Sequence, residues 1–146
     1  MDFVFSWSKR VCKGLLKMTE LNLTSTSRTP SVILKKSANC LIIEGESYPE
    51  DVNSFYAQIF AAIDDYFATG NQRLDVDIKL IYFNSSSAHA LTELLDKMED
   101  HATKGAAITI KWFCDSDDDI TREFAEDVAC DMEHLTVTIL DMKRDG

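Results

Sequence analysis

Residues 74–87 read LDVDIKLIYFNSSS, and this stretch decides the fold. It opens with strict alternation, Leu74, Val76 and Ile78 against Asp75, Asp77 and Lys79. A period of two marks a strand with one face turned inward. The stretch then becomes a continuous apolar run, Leu80–Phe83, as in strands covered on both faces by crossover helices. The expectation is a strand over Leu74–Phe83 whose far half is enclosed on both sides. Asn84, Ser85, Ser86 and Ser87 follow, and short polar side chains of this kind accept hydrogen bonds from the first free amides of a helix. Ala88, Leu91, Leu94, Leu95, Met98 and Ala102 then form one helical stripe, which Gly105 ends.

The same pattern extends in both directions. Upstream, Ser31–Lys35 (SVILK) and Cys40–Glu44 (CLIIE) are β-branched runs separated by residues 36–39, which predicts a hairpin. Pro49, Glu50 and Asp51 suit a helix start. Apolar residues at Val52, Phe55, Tyr56, Ile59, Phe60, Ile63, Tyr66 and Phe67 then keep a 3.6-residue period up to Gly70. Downstream, Ala106–Phe113 reads as a strand, and Asp117 and Asp118 begin a third helix with Ile120, Phe124, Val128 and Met132 inward. Leu135–Leu140 is a last strand. The order is β-β-α-β-α-β-α-β. Strands alternating with helices need right-handed crossovers, which make neighbouring strands parallel. The expected fold is one α/β domain with a mixed, mostly parallel sheet of about five strands and three main helices.

Composition narrows the function. The chain has 146 residues, 45% hydrophobic and 27% charged, with a net charge of −10. That length suits a single domain able to bury a core without disulfides or metal. The negative balance repels a phosphate backbone and argues against general nucleic-acid binding. Apolar runs fall far short of the ~20 residues of a membrane helix, so no membrane insertion is expected. Cys12, Cys40, Cys114 and Cys130 form no C-x-x-C pair and suit reduced thiols in a cytoplasmic protein. Residues 1–17 resemble a signal peptide only loosely, since Lys13 interrupts the apolar stretch. Residues 1–28 are read as an N-terminal extension or flexible arm, with Met18 as an alternative start, and residues 29–146 as the domain.

Few motifs point to catalysis. Ser85 and His89 lie four apart on a helix, but no G-x-S-x-G elbow or Gly-rich turn accompanies them. Phosphate loops of the GxxxxGK[ST] type, H-E-x-x-H and GxGxxG are absent from the sequence. Asp115, Asp117, Asp119 and Glu126 match the first, third, fifth and twelfth positions of a calcium loop. The sixth position, however, is Ile120, where a sharp turn wants Gly. These acids are better explained as the exposed start of a helix. Neither a metal nor a cofactor is expected. The tripeptide Ser85–Ser87 stands at the end of a parallel strand, where α/β domains commonly place function. It suits capping, and it also suits an added phosphate, because a helix N-terminus favours negative charge.

Three segments together carry a family resemblance: GESYPED at 45–51, LIYFNSSSAHALTELLDKMED at 80–100 and ITIKWFCDSDDD at 108–119. In this order and spacing they resemble the SiaC family of bacterial regulatory phosphoproteins, over roughly Thr29 to Leu140. The resemblance implies a fold like that of anti-sigma-factor-antagonist (STAS) domains and a switch protein rather than an enzyme. It implies a Ser/Thr kinase that modifies the residue after the motif Asn, and a PP2C-type phosphatase that reverses the change. It further implies that the unphosphorylated form binds and activates a GGDEF diguanylate cyclase, so tying the switch to cyclic-di-GMP and biofilm or aggregation behaviour. Carried onto this chain, the acceptor falls on Ser85 after Asn84, with Ser86 as the alternative. The resemblance implies a Thr acceptor in the family member compared, where this chain has Ser85. Partner docking would use Tyr48, Asn84, Ser86, Ser87 and His89. A related output is that of an anti-sigma-factor antagonist acting on a partner-switching kinase.

Overall fold

The computed structural model describes residues 20–142. The expected arm over 1–17, with Cys12 and the alternative start at Met18, lies outside the described residues. The elements are β1 (Leu21–Leu23), β2 (Ser31–Lys35), β3 (Cys40–Ser47), α1 (Val52–Ala68), β4 (Arg73–Phe83), α2 (Ser85–Thr103), β5 (Ala107–Asp115), α3 (Asp119–Cys130) and β6 (Thr136–Met142). They build one six-stranded sheet in the order β1-β2-β3-β4-β5-β6. The first two pairings are antiparallel and the remaining three parallel.

The mixed α/β fold with three helices agrees with the sequence reading, with one strand more than expected. That strand, β1, lies in the part read as a flexible arm, so a domain start at residue 29 is too late. Leu21 and Leu23 pair opposite Leu34 and Val32 and pack against the core. The loop behind them is held as well: Thr26 Oγ1 accepts from the amides of Arg28 (3.2 Å) and Thr29 (3.0 Å). The amide of Tyr48 donates to the Arg28 carbonyl at 2.7 Å. A three-residue strand is too short for its alternation to stand out from a Ser/Thr-rich surrounding.

Strand order explains the layering. Each parallel strand lies beside its predecessor, so right-handed crossovers carry α1, α2 and α3 to the same face. Val32, Leu34, Leu41, Ile43, Leu74, Val76, Ile78, Ile110 and Trp112 form the covered face of the sheet. They meet Tyr56, Ile59, Ile63 and Tyr66 of α1 and Leu91, Leu94, Leu95 and Met98 of α2. The opposite face keeps the alternating residues, Asp75, Asp77 and Lys79 of β4 among them, half-buried rather than covered.

The helices begin as their residues dictate. Asp51 caps α1, its carboxylate accepting from the Ser54 amide (3.1 Å) and hydroxyl (2.8 Å). Gly70 and Gly105 take positive φ just past α1 and α2, the conformation that ends a helix without a Cβ penalty. An ionic seam joins the two helices: Asp64 accepts from Lys97 Nζ at 2.8 Å and lies 2.9 Å from His101 Nε2. His101 also stacks on Phe67, with ring centres 4.5 Å apart.

Farther along α2, Glu99 organises the turn into β6. Its carboxylate accepts from the backbone amides of Glu133, His134 and Leu135 at 3.0–3.2 Å, and lies 2.7 Å from His134 Nδ1. Burial opposes the charge, but these hydrogen bonds outweigh it and hold the Glu99 carboxyl at about 2. A folded-state value below the unfolded one stabilises the fold above the ordinary glutamate range, and the gain disappears as pH falls towards about 2. Glu99→Gln should therefore lower the melting temperature at pH 7. The gap to the parent chain should close as the pH is lowered from the ordinary glutamate range towards 2, as read by thermal melts across a pH series.

Candidate functional site

The end of β4 diverges from its neighbour. Pairing with β5 stops at Ile78 opposite Trp112, while β4 continues to Phe83 and β5 to Asp115. On the other side, β4 stays paired with β3 up to Ser47 opposite Phe83. That pairing contains a bulge: Gly45 faces Leu80 and Glu46 faces Tyr82, so the register skips Ile81. Gly45 adopts φ +124° at this point, and a Cβ there would approach the Pro30 backbone to 3.4 Å.

This geometry overturns the expectation of a doubly buried strand end. Leu80 is buried, but Ile81 is 42% exposed and Tyr82 52% exposed. The apolar run is an exposed lip rather than an enclosed core. Ile120, read as an inward residue of α3, is 82% exposed. Asp118 caps that helix, its carboxylate accepting from the Thr121 amide (3.0 Å) and hydroxyl (2.6 Å). This start turns Thr121, Ala125 and Val128 inward and leaves Ile120 outside. Ile81, Tyr82 and Ile120 line one groove of about 360 Å³ with Phe83, Phe124 and Ala88, between the free end of β4 and α3. Phe83 and Phe124 make its floor, with ring centres 5.3 Å apart.

The three serines at the start of α2 are not equivalent. Asn84 is the cap, with extended backbone, and its Oδ1 accepts from the Ser87 amide at 2.9 Å. Its own amide donates to the Ser47 carbonyl at 3.2 Å, which ties the helix start to the end of β3. Ser87 is buried: its Oγ lies 2.8 Å from Ser47 Oγ, which lies 2.8 Å from Tyr56 Oη. Burial raises the Tyr56 phenol above its usual range against the opposing effect of these hydrogen bonds, so it stays neutral. Ser85 and Ser86 are exposed. Ser85 forms the ridge between the groove and a second, shallower depression that contains Ser86, His89 and Asn53.

The other candidates distribute as follows. Tyr48 is half-buried and meets Tyr82 edge-on at 5.7 Å, which places it beside the exposed lip. His89 is exposed and pairs with Glu93 one turn on at 3.9 Å, facing away from a nucleophile–base geometry with Ser85. Ser87, expected among the docking residues, is sealed inside; it supports the helix start and offers a partner nothing to touch. The calcium-like spacing does not form a loop: Asp115 ends β5, Asp118 caps α3 and Glu126 lies within that helix. The described residues hold no group of three or more His, Cys, Asp or Glu placed to bind a metal. Cys114 is buried with its thiol pushed up by burial, and Cys130 is exposed. Ile81, Tyr82 and Ile120 were the residues sequence reasoning missed. Four consecutive apolar residues directly before a cap were the available signal.

The described residues thus combine a one-sided α/β sheet with an exposed hydroxyl at a helix start, beside an apolar groove. The chain belongs to the SiaC family of regulatory phosphoproteins, which it matches over residues 23–142. It is 29% identical over 110 residues to an uncharacterised protein of Pseudomonas aeruginosa (strain UCBPP-PA14), covering 75% of this chain and 87% of the relative. Its fold is similar to the crystal structure of apo-SiaC from P. aeruginosa, with a TM-score of 0.76 and 27% identity over 83% of this chain and 98% of the other. It is equally similar, with a TM-score of 0.78 and 27% identity, to a chain in the crystal structure of diguanylate cyclase SiaD in complex with its activator SiaC, also from P. aeruginosa. That match covers 84% of this chain and 99% of the other. Among the described residues, no helix is long and apolar enough to cross a membrane.

The hydroxyl triad has a measurable role. Tyr56→Phe and Ser87→Ala should each lower stability by about 1 kcal/mol, the usual worth of one internal hydrogen bond. Urea unfolding should show a shifted midpoint with unchanged slope, since each variant removes a contact and leaves the burial of the chain alone.

Proposed function

We propose that this chain is a non-enzymatic phospho-switch of the cytoplasm, whose unphosphorylated form binds and activates a GGDEF diguanylate cyclase. Phosphorylation of Ser85 by a Ser/Thr kinase blocks that binding, and a PP2C-type phosphatase restores it; the output is cyclic-di-GMP signalling and biofilm or aggregation behaviour. The observation that carries the reading is the position of Ser85: exposed, first in α2 and on the ridge between two surface depressions. Membership of a regulatory phosphoprotein family supports it, as does the likeness to a cyclase activator. Ser86 is exposed too, but it borders only the shallower depression, so Ser85 is the better-placed acceptor.

The physics needs no refolding. A phosphate at Ser85 brings close to two negative charges at pH 7, and the positive end of α2 accommodates them. No Lys or Arg lines either depression, so the phosphate gains no internal counter-charge there. A partner seated over the ridge would have to bury that charge unpaired, which costs a few kcal/mol. Each ~1.4 kcal/mol is tenfold in affinity, so a block of about a hundredfold follows. Asn84, Ser86 and His89 border the ridge as candidate contacts, with Tyr48 beside Tyr82 at the lip.

The test uses the chain with its cognate kinase and cyclase. Mass spectrometry should place a single phosphate on Ser85, and the modified protein should bind the cyclase about a hundredfold more weakly with an unchanged melting temperature. Ser85→Ala should escape modification while still stimulating cyclic-di-GMP synthesis. Phosphorylated protein that binds and stimulates as well as the unmodified form would overturn the proposal.

A further inference from the structure

The large hydrophobic side chains most exposed on the described surface, Ile81, Tyr82 and Ile120, converge on one groove. Isolated surface apolar residues are ordinary; three that line a single concavity mark an interaction site. The groove results from the backbone: β4 parts from β5 after Ile78 and turns Ile81 out at a bulge. Its two walls differ in charge. The α2 wall presents Asn84, Ser85 and Ala88, none of them charged. The α3 wall belongs to the segment from Asp115 to Asp131, which has eight acids and a single Arg. That cation, Arg122, is paired with Asp141. Asp117, Asp119 and Glu123 are exposed around Ile120.

We propose that this groove holds the cyclase through an apolar segment of the partner whose α3-facing side carries Lys or Arg. The inference rests on the cyclase reading above and adds where the partner sits and what chemistry it brings. Charge complementarity names the occupant: an acidic wall favours a basic flank, and the uncharged α2 wall with its aromatic floor favours an apolar one. The asymmetry also explains why a phosphate at Ser85 opposes binding although the partner is basic. The added charge stands on the wall that meets the partner's apolar side, away from the cations that face α3.

Ile120→Glu tests the apolar contact, and Asp119→Lys combined with Glu123→Lys tests the charged wall. All three residues are exposed, so both variants should fold, the charge-reversed one melting slightly lower because Asp119 stands in the first turn of α3; Ile120→Ser serves if the glutamate variant does not fold. Titration with the cyclase should give at least about tenfold weaker binding for Ile120→Glu, the size expected of a central apolar contact. The charge-reversed variant should bind more weakly and lose most of its salt dependence. Binding of both folded variants at parental affinity would overturn the groove proposal. If the parent chain binds no cyclase, the functional reading fails, and the groove is judged by a synthetic Leu/Lys amphipathic peptide observed by NMR. Shifts centred on Ile81, Tyr82 and Ile120 then support the groove, and shifts centred elsewhere overturn it.

Discussion

The parallel pairing of β4 with β3 is the constraint on which the rest depends. It runs from Asp75 opposite Cys40 to Phe83 opposite Ser47, well past the point where β4 and β5 part. The strand is therefore held at its far end from one side only. Its last residues are ordered by β3, while the side towards β5 stands open as a groove. The start of α2 inherits its place from the same pairing, because the Asn84 amide reaches the carbonyl of Ser47, the last residue of β3. Groove and hydroxyl ridge are two products of one divergence between neighbouring strands.

Beneath this surface the hydroxyls of Ser47, Tyr56 and Ser87 join β3, α1 and α2 at a single point. A buried polar group is costly unless paired, so the three satisfy one another or not at all. That mutual need ties the end of β3 to the first turns of α1 and α2. The opposite end is organised differently, by the ionic seam at Asp64 and the Glu99 turn.

Much of this was legible in the residues. The alternation in β4 and the 3.6-residue stripes in α1 and α2 define elements that the structure contains, because long periodic segments bury what their pattern says. The Asn-Ser-Ser-Ser run correctly located the start of α2. Four features were illegible, each for a physical reason. Strand β1 is three residues long, too short for a period. The exposure of Ile81 and Tyr82 depends on where β5 stops pairing, which is a property of another segment. The orientation of Ile120 depends on which of three adjacent aspartates caps α3, and a shift of one residue rotates a helix face by about 100°. Within the serine tripeptide, sequence alone could not assign the buried member, since burial follows from Ser47 and Tyr56 far away in the chain.

The unequal burial of the three serines has a consequence for how the site can drift over time. Positions 85 and 86 face solvent, so an extra methyl on either meets water and not a neighbour. Serine and threonine are interchangeable there as far as the fold is concerned, without a compensating change inside. Position 87 has no such freedom, because its side chain occupies a closed space against Ser47 and must keep a hydroxyl. Any enlargement there has to be matched by a loss of volume at position 47 or 56. Three adjacent, chemically identical residues therefore live under two different rules of substitution.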